Sequence, residues 1–211
     1  MISVTIKSSK MNTQPNFNIN PTGKISQAFL QRNVFTFKQA SEYVKQLPYG
    51  RNANKEDLAG IFIDNCGTCS TRHALLKQLA GENNFEGLNL VLGLFKMNAV
   101  NTPKISSTLQ KYQLAYIPEA HNYLRFDGQI IDCTTANSKP EDFINDLIEE
   151  IVIEPEQITG FKVAYHKNYL KQWLLSNTSV MYSLEELWNI REQCIQDLSA
   201  NDCFSDLRME D

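Results

Sequence analysis

What constrains this chain most is a cysteine set at the start of an amphipathic helix, in the stretch Asn65-Cys66-Gly67-Thr68-Cys69-Ser70-Thr71-Arg72-His73-Ala74-Leu75-Leu76. Gly67 allows a tight bend, and Thr68 is a good N-cap for the helix that follows. Leu75, Leu76, Leu79 and Ala80 supply its apolar stripe, and Gly81 is expected to end it. Cys69 shares a face with His73, Leu76 and Ala80 at steps of about 3.6 residues, so the thiol looks into the protein. A helix N-terminus carries positive partial charge, which favours thiolate over thiol. Cys69 is therefore the first candidate for a nucleophile, with its own backbone N–H as the expected oxyanion donor.

A cysteine nucleophile needs a base, and the base needs a group to orient it. Residues 117–134 supply both. Asp127-Gly128 between two strand-like runs predicts a two-residue hairpin turn. Phe126 then pairs with Gln129, Leu124 with Ile131, Tyr123 with Asp132 and His121 with Thr134. Alternation puts His121, Tyr123 and Arg125 on one face with Ile130, Asp132 and Thr134. His121 and Asp132 become diagonal neighbours, and a slip of one residue would separate them. The chain thus offers cysteine, histidine and aspartate in that order.

Composition narrows the rest. With 211 residues, 42 % apolar and 21 % charged, the chain has the make-up of one globular domain with its own core. A net charge of -4 without a Lys/Arg cluster leaves no phosphate-backbone footprint, so nucleic acid is not an expected partner. No apolar run reaches the ~20 residues that span a bilayer. The first residues lack a basic start and a long apolar core, so neither a membrane nor a secretory signal is expected. Five cysteines, an odd and scattered set, argue against a disulfide framework and for the reducing cytoplasm.

Along the chain, residues 1–23 read as irregular, with Ile2, Val4 and Ile6 as a short edge strand or an unordered end. Thr36 and Gln39 form a capping box for a helix carrying Phe37, Ala40, Tyr43, Val44 and Leu47, which residues 48–52 stop. Residues 88–95 predict a buried strand and 106–111 a short helix. Ser138 with Glu141 predicts a helix with Phe143, Ile144, Leu147, Ile148 and Ile151 on one face. Residues 161–165 alternate like a half-buried strand, and 166–175 predict a helix containing Trp173. Ser183 with Glu186 caps a last helix with Leu184, Leu187, Trp188, Arg191, Cys194, Ile195 and Leu198 on one face, ahead of an acidic tail after Asn201.

Gly67-Thr68-Cys69 opening a helix, then Glu119-Ala120-His121, then Ile131-Asp132-Cys133-Thr134, resemble the transglutaminase-like superfamily, the papain-related fold of cysteine acyl transfer. The resemblance implies an α+β domain over residues 1–211, with a nucleophile helix packed on an antiparallel sheet, additional C-terminal helices and a catalytic core at 65–135. It implies a Cys69-His121-Asp132 triad acting on a peptide, a protein or a small amide or ester, with no cofactor and no metal. Water as final acceptor gives an amidase or peptidase, and an amine gives a transferase. In this fold class the loop ahead of the nucleophile often recruits oxyanion or substrate contacts, which singles out Tyr49, Arg51 and Asn52. The same three residues also read as a helix-stopping turn with solvated side chains.

Other readings of these residues stand beside it. Cys66-Gly67-Thr68-Cys69 after the apolar run Ile61-Phe62-Ile63 has the layout of a thioredoxin-like redox module. Cys66, Cys69, His73, His121 and Cys133 together hold enough ligand types for zinc. A non-catalytic binding protein on the same fold is a third possibility. Buried free cysteine is common in cores, and Cys133, pointing opposite to Asp132, is read that way. His73, one turn after Cys69, reads as structural or as an assistant to the thiol.

Overall fold

The computed structural model describes residues 14–199; the expected strand at Ile2, Val4 and Ile6 and the acidic tail lie outside them. In chain order the elements are α1 (Lys24–Leu30), α2 (Phe37–Gln46), α3 (Gly60–Asp64), α4 (Cys69–Glu82), β1 (Asn89–Asn98), α5 (Ser106–Lys111), β2 (Tyr116–Phe126), β3 (Gln129–Ile131), β4 (Leu147–Ile153), α6 (Gly160–Ser176) and α7 (Leu184–Ser199). The architecture is α+β. The four strands form one antiparallel sheet in the order β3-β2-β1-β4. No helix among the described residues is long and apolar enough to cross a membrane.

The sheet is covered on both faces, which is why β1 reads as a near-continuous apolar run. Leu90, Leu92 and Leu94 pack with Ala120 and Leu124 of β2 against Leu75, Leu76 and Leu79 of α4. Val91, Phe95 and Met97 turn the other way, with Ile117 and Tyr123, toward Leu170 and Trp173 of α6 and Leu187 and Ile190 of α7. The period of two along each strand sorts these sets between the faces.

Helix α4 is the hub, with ten of its 14 residues buried. A helix enclosed on nearly all sides carries more than an apolar stripe, and Arg72 and His73 are both fully enclosed. Arg72 spends its guanidinium on five carbonyls: Gly67 (2.9 Å), Val44 (2.8 Å), Leu47 (2.7 Å), Pro48 (2.6 Å) and Thr134 (2.6 Å). Those at Val44 and Leu47 belong to the end of α2, where carbonyls lack helical partners and carry negative partial charge. Gly67 sits so close to this side chain that an added Cβ would lie 3.1 Å from Arg72 Cγ. Gly81 does not end α4. The helix continues to Glu82, whose carboxylate accepts the N–H groups of Ile25 (3.1 Å) and Ser26 (2.7 Å) at the start of α1.

The capping boxes expected at Thr36/Gln39 and Ser183/Glu186 are present, as is the short helix at 106–111. Two segments differ. Residues 147–153 form strand β4, pairing with β1 through Leu92↔Ile151, instead of continuing a helix from Ser138. Their hydrophobic spacing suits a helix, but β1 has an open edge and this β-branched run fills it. Residues 161–165 lie in α6, not in a strand. The buried stripe of α6 is Lys162, His166, Leu170 and Trp173. Its first half is polar, so an apolar count misses the helical period.

The hairpin turns at Asp127 (φ 47°) and Gly128 (φ 76°), both in the left-handed region that a two-residue turn of this kind requires. Phe126↔Gln129 and Leu124↔Ile131 pair as expected. The further pairs Tyr123–Asp132 and His121–Thr134 do not form. Helix α4 draws the chain away: Cys133 N–H donates to His73 Nε2 at 2.7 Å, and Thr134 O accepts from Arg72 at 2.6 Å. Among the described residues, β2 before Leu124 has no strand partner on that edge. The opening is where the thiol sits.

Candidate active site

Cys69 is the first residue of α4, with Thr68 extended before it and the Thr71 hydroxyl reaching back to accept Thr68 N–H at 3.0 Å. Its sulfur lies beside the open edge of β2, near enough to the His121 imidazole and the Asn122 N–H for both to favour the thiolate. His121 Nε2 donates to Asp132 Oδ2 at 3.0 Å, which leaves Nδ1 for the thiol. Asp132 is fixed in turn by Thr134, whose N–H and O–H donate to Oδ1 at 2.8 and 2.5 Å. The His121 ring packs on Phe143 at 4.8 Å between centroids. The structure therefore brings Cys69, His121 and Asp132 together on one cavity wall, with His121 bonded to Asp132, although only part of the expected strand pairing exists.

The charges follow from this geometry. Burial alone would push the Cys69 thiol up, but the Lys162 ammonium and His121 pull it down to about 6. Burial disfavours the His121 imidazolium, yet the Asp132 carboxylate and the Cys69 thiolate raise it to about 10. Burial opposes the Asp132 charge, while His121 holds the carboxyl far below its usual range. Between those limits the resting site is a thiolate–imidazolium pair.

His73 is a structural histidine. Its Nδ1 donates to the Cys69 carbonyl at 2.6 Å and its Nε2 accepts Cys133 N–H at 2.7 Å, so the ring is neutral and its tautomer fixed. Asp132 Oδ1 lies 3.5 Å from that Nε2, but no ion pair forms while the nitrogen is an acceptor. Burial lowers the His73 pKa from 6.5 to about 4. The unfolded chain then takes up a proton first as pH falls. His73 contributes stability above pH 6.5 that is lost on the way down to about 4, worth roughly 3 kcal/mol at about 1.4 kcal/mol per unit. Urea titrations at steps across this range should show that loss, and His73→Gln should remove most of the slope.

Of the three residues expected to contact substrate, the structure places one in the site. Tyr49 lines the cavity with Cys69, Glu119 and His121. Arg51 turns outward to Glu192 at 2.6 Å. Asn52 is buried and structural, donating to Asp64 Oδ2 and the Cys66 carbonyl and accepting from Thr71. Its hydrogen bonds brace the turn before Cys69 and leave no group for a substrate. Two site residues escaped the sequence reading: Asn122, whose neighbours on β2 drew attention to His121, and Lys162, hidden in the polar half of the α6 stripe.

The cavity holds about 590 Å³, within the range of small-ligand pockets. Leu47, Pro48, Phe95, Phe143 and Ile195 give it apolar walls. Glu119 at its edge is paired with Arg191, through Arg191 Nε at 2.7 Å, and Arg191 joins Glu192 and hence Arg51.

Ile61-Phe62-Ile63 lies in helix α3 rather than a strand, and the two thiols have different neighbours: Cys66 Sγ sits 3.8 Å from the Arg51 carbonyl, Cys69 beside His121. No three His, Cys, Asp or Glu side chains among the described residues converge as a metal-binding group. Cys133 is fully enclosed, its thiol pushed up to about 12 by burial. No protein-family model, curated protein or solved structure matches this chain.

Proposed function

We propose that this chain is a cysteine-dependent acyl-transfer enzyme on a transglutaminase-like core, acting on an amide or ester of a peptide, a protein or a small molecule. The observation that carries the reading is His121, bonded at one ring nitrogen to Asp132 at 3.0 Å and electrostatically coupled to the Cys69 thiol, with all three residues on the wall of one cavity. The Cys69 thiolate attacks the carbonyl carbon. The oxyanion is met by the backbone N–H of Cys69 at the start of α4 and, on the cavity side, by the Tyr49 phenol, which burial keeps protonated. The His121 imidazolium then protonates the leaving group, which departs with the C–N or C–O bonding pair. In the second half His121 takes a proton from water or an amine, which attacks the thioester and releases Cys69. Asp132 holds the imidazole in orientation and stabilises its charged form. The thiols suit a reducing compartment such as the cytoplasm.

Hydrolysis of a panel of nitrophenyl esters and anilides tests this. Activity lost in Cys69→Ala and nearly intact in Cys66→Ser is expected, because Cys66 has no place in the line of proton transfer. Reduction of insulin by the wild type, lost in Cys66→Ser, would sink the acyl-transfer reading in favour of dithiol exchange.

A further inference from the structure

Lys162, on the first turn of α6, is buried behind the thiol and is not part of the cavity wall. Its Nζ donates to Ser70 Oγ at 2.8 Å and Asn122 Oδ1 at 2.8 Å, and stands 4.0 Å from Cys69 Sγ. Both oxygens belong to neutral groups already tied together, with Ser70 Oγ donating to Asn122 Oδ1 at 3.0 Å and Asn122 Nδ2 donating to the Val91 carbonyl at 3.0 Å. Among the described residues no carboxylate lies within ion-pair distance of Lys162. A buried ammonium among neutral dipoles is costly without an anion. The one anion the site offers at close range is the sulfur.

We propose that Lys162 is a positioning residue for Cys69: its ammonium is the buried counter-ion of the thiolate, held on the side of the sulfur away from the cavity. The proposal rests on the reading of Cys69 as the nucleophile. Burial lowers the Lys162 pKa, and the Cys69 thiolate is the first of the charges that hold it up. His121 must release its proton to the leaving group during each turnover, whereas Lys162 has no proton to give in the cycle and can keep a cation beside the sulfur. Acylation neutralises the sulfur and strands the ammonium, so Lys162 also favours the return of the free thiolate.

The other ionisable groups facing this pair leave Lys162 and His121 as its close cations. Glu119 of β2 is committed to Arg191 of α7, and His166 of α6 is lowered by burial and donates to the Pro118 carbonyl. Tyr49 keeps its proton, Arg72 is spent on carbonyls, and Lys55, from the segment after α2, is half-buried and lowered by desolvation.

The test is the pH dependence of Cys69 alkylation by iodoacetamide in wild type, Lys162→Met, Lys162→Arg and His121→Ala. The wild-type inflection is expected near 6. Lys162→Met should move it upward by about one to two pH units, the effect of one nearby charge, slowing alkylation roughly fivefold or more at pH 7. The rate should recover at pH 9, which damage to the fold would not allow, and Lys162→Arg should restore most of the shift. An inflection unmoved in Lys162→Met but raised in His121→Ala overturns the lysine and leaves the triad. The reverse pattern keeps the lysine and removes the triad, and no shift in either removes both. Should Lys162→Met fail to fold, the wild type decides. Lysine labelled at Cε, followed by NMR before and after alkylation of Cys69, should show the Lys162 midpoint falling by about a unit, since coupling is reciprocal. An unchanged midpoint overturns the proposal.

Discussion

Arg72→Met should cost about 4 kcal/mol of stability, a large share of the roughly 5–15 kcal/mol of a typical domain. The substitution preserves much of the apolar stem and removes a buried charge, which by itself would be favourable. It also strips the donor from five carbonyls, at Val44, Leu47, Pro48, Gly67 and Thr134, that surround a fully enclosed guanidinium. Each carbonyl left bare costs on the order of 1–3 kcal/mol, reduced where it finds another partner. The second effect outweighs the first. A fall in melting temperature of about 10 °C or more follows for a chain of this size. Lys cannot substitute, because one ammonium does not span carbonyls from three segments. Thermal and urea unfolding of Arg72→Met and Arg72→Lys are the measurements; a loss under about 1 kcal/mol would mean that the carbonyls are satisfied some other way.

His121→Ala should lower kcat/KM by about a thousandfold or more, since one residue supplies both the leaving-group proton and the base for deacylation. The pH profile carries the sharper information. The thiolate needs pH above about 6 and the imidazolium needs pH below about 10, so activity should rise through the first value and fall through the second. Asp132→Asn removes the carboxylate that raises the histidine. Its alkaline limb should move down by more than one unit, as expected for loss of an adjacent opposite charge. The same two groups shape stability: the His121 contribution is complete below 6.5 and lost as pH rises through about 10. The Cys69 contribution is complete above 9.0 and lost as pH falls through about 6.

What could be read from the sequence was local chemistry. Thr68 and Cys69 at a helix start, the Asp127-Gly128 turn and the boxes at Thr36/Gln39 and Ser183/Glu186 each act within a few residues, and the structure has all of them. What escaped depends on partners far along the chain. Residues 147–153 have a helix-compatible spacing, and only the open edge of β1 makes them a strand. The helix expected at 166–175 is the body of α6, but its first turns, residues 161–165, hide because Lys162 and His166 occupy buried positions where an apolar residue is the rule. The site itself was legible as His121 facing Asp132. The reason for that contact was not: His73 and Arg72 peel residues 133–134 from β2, which stops the ladder at Ile131 and opens the edge for Cys69. The interplay of a buried histidine, a buried arginine and a strand register leaves no short-range pattern to read.

The central claim is that Cys69 forms a covalent acyl intermediate with His121 as its proton-transfer partner. Rapid-quench mass spectrometry with an activated acetyl ester tests it most directly. The predicted result is one acetyl group on the wild type, mapped to Cys69, absent from Cys69→Ala and formed far more slowly in His121→Ala. Acetylation spread equally over Cys66 and Cys69, or an acetyl group on Cys69 that forms at the same rate without His121, would contradict the account.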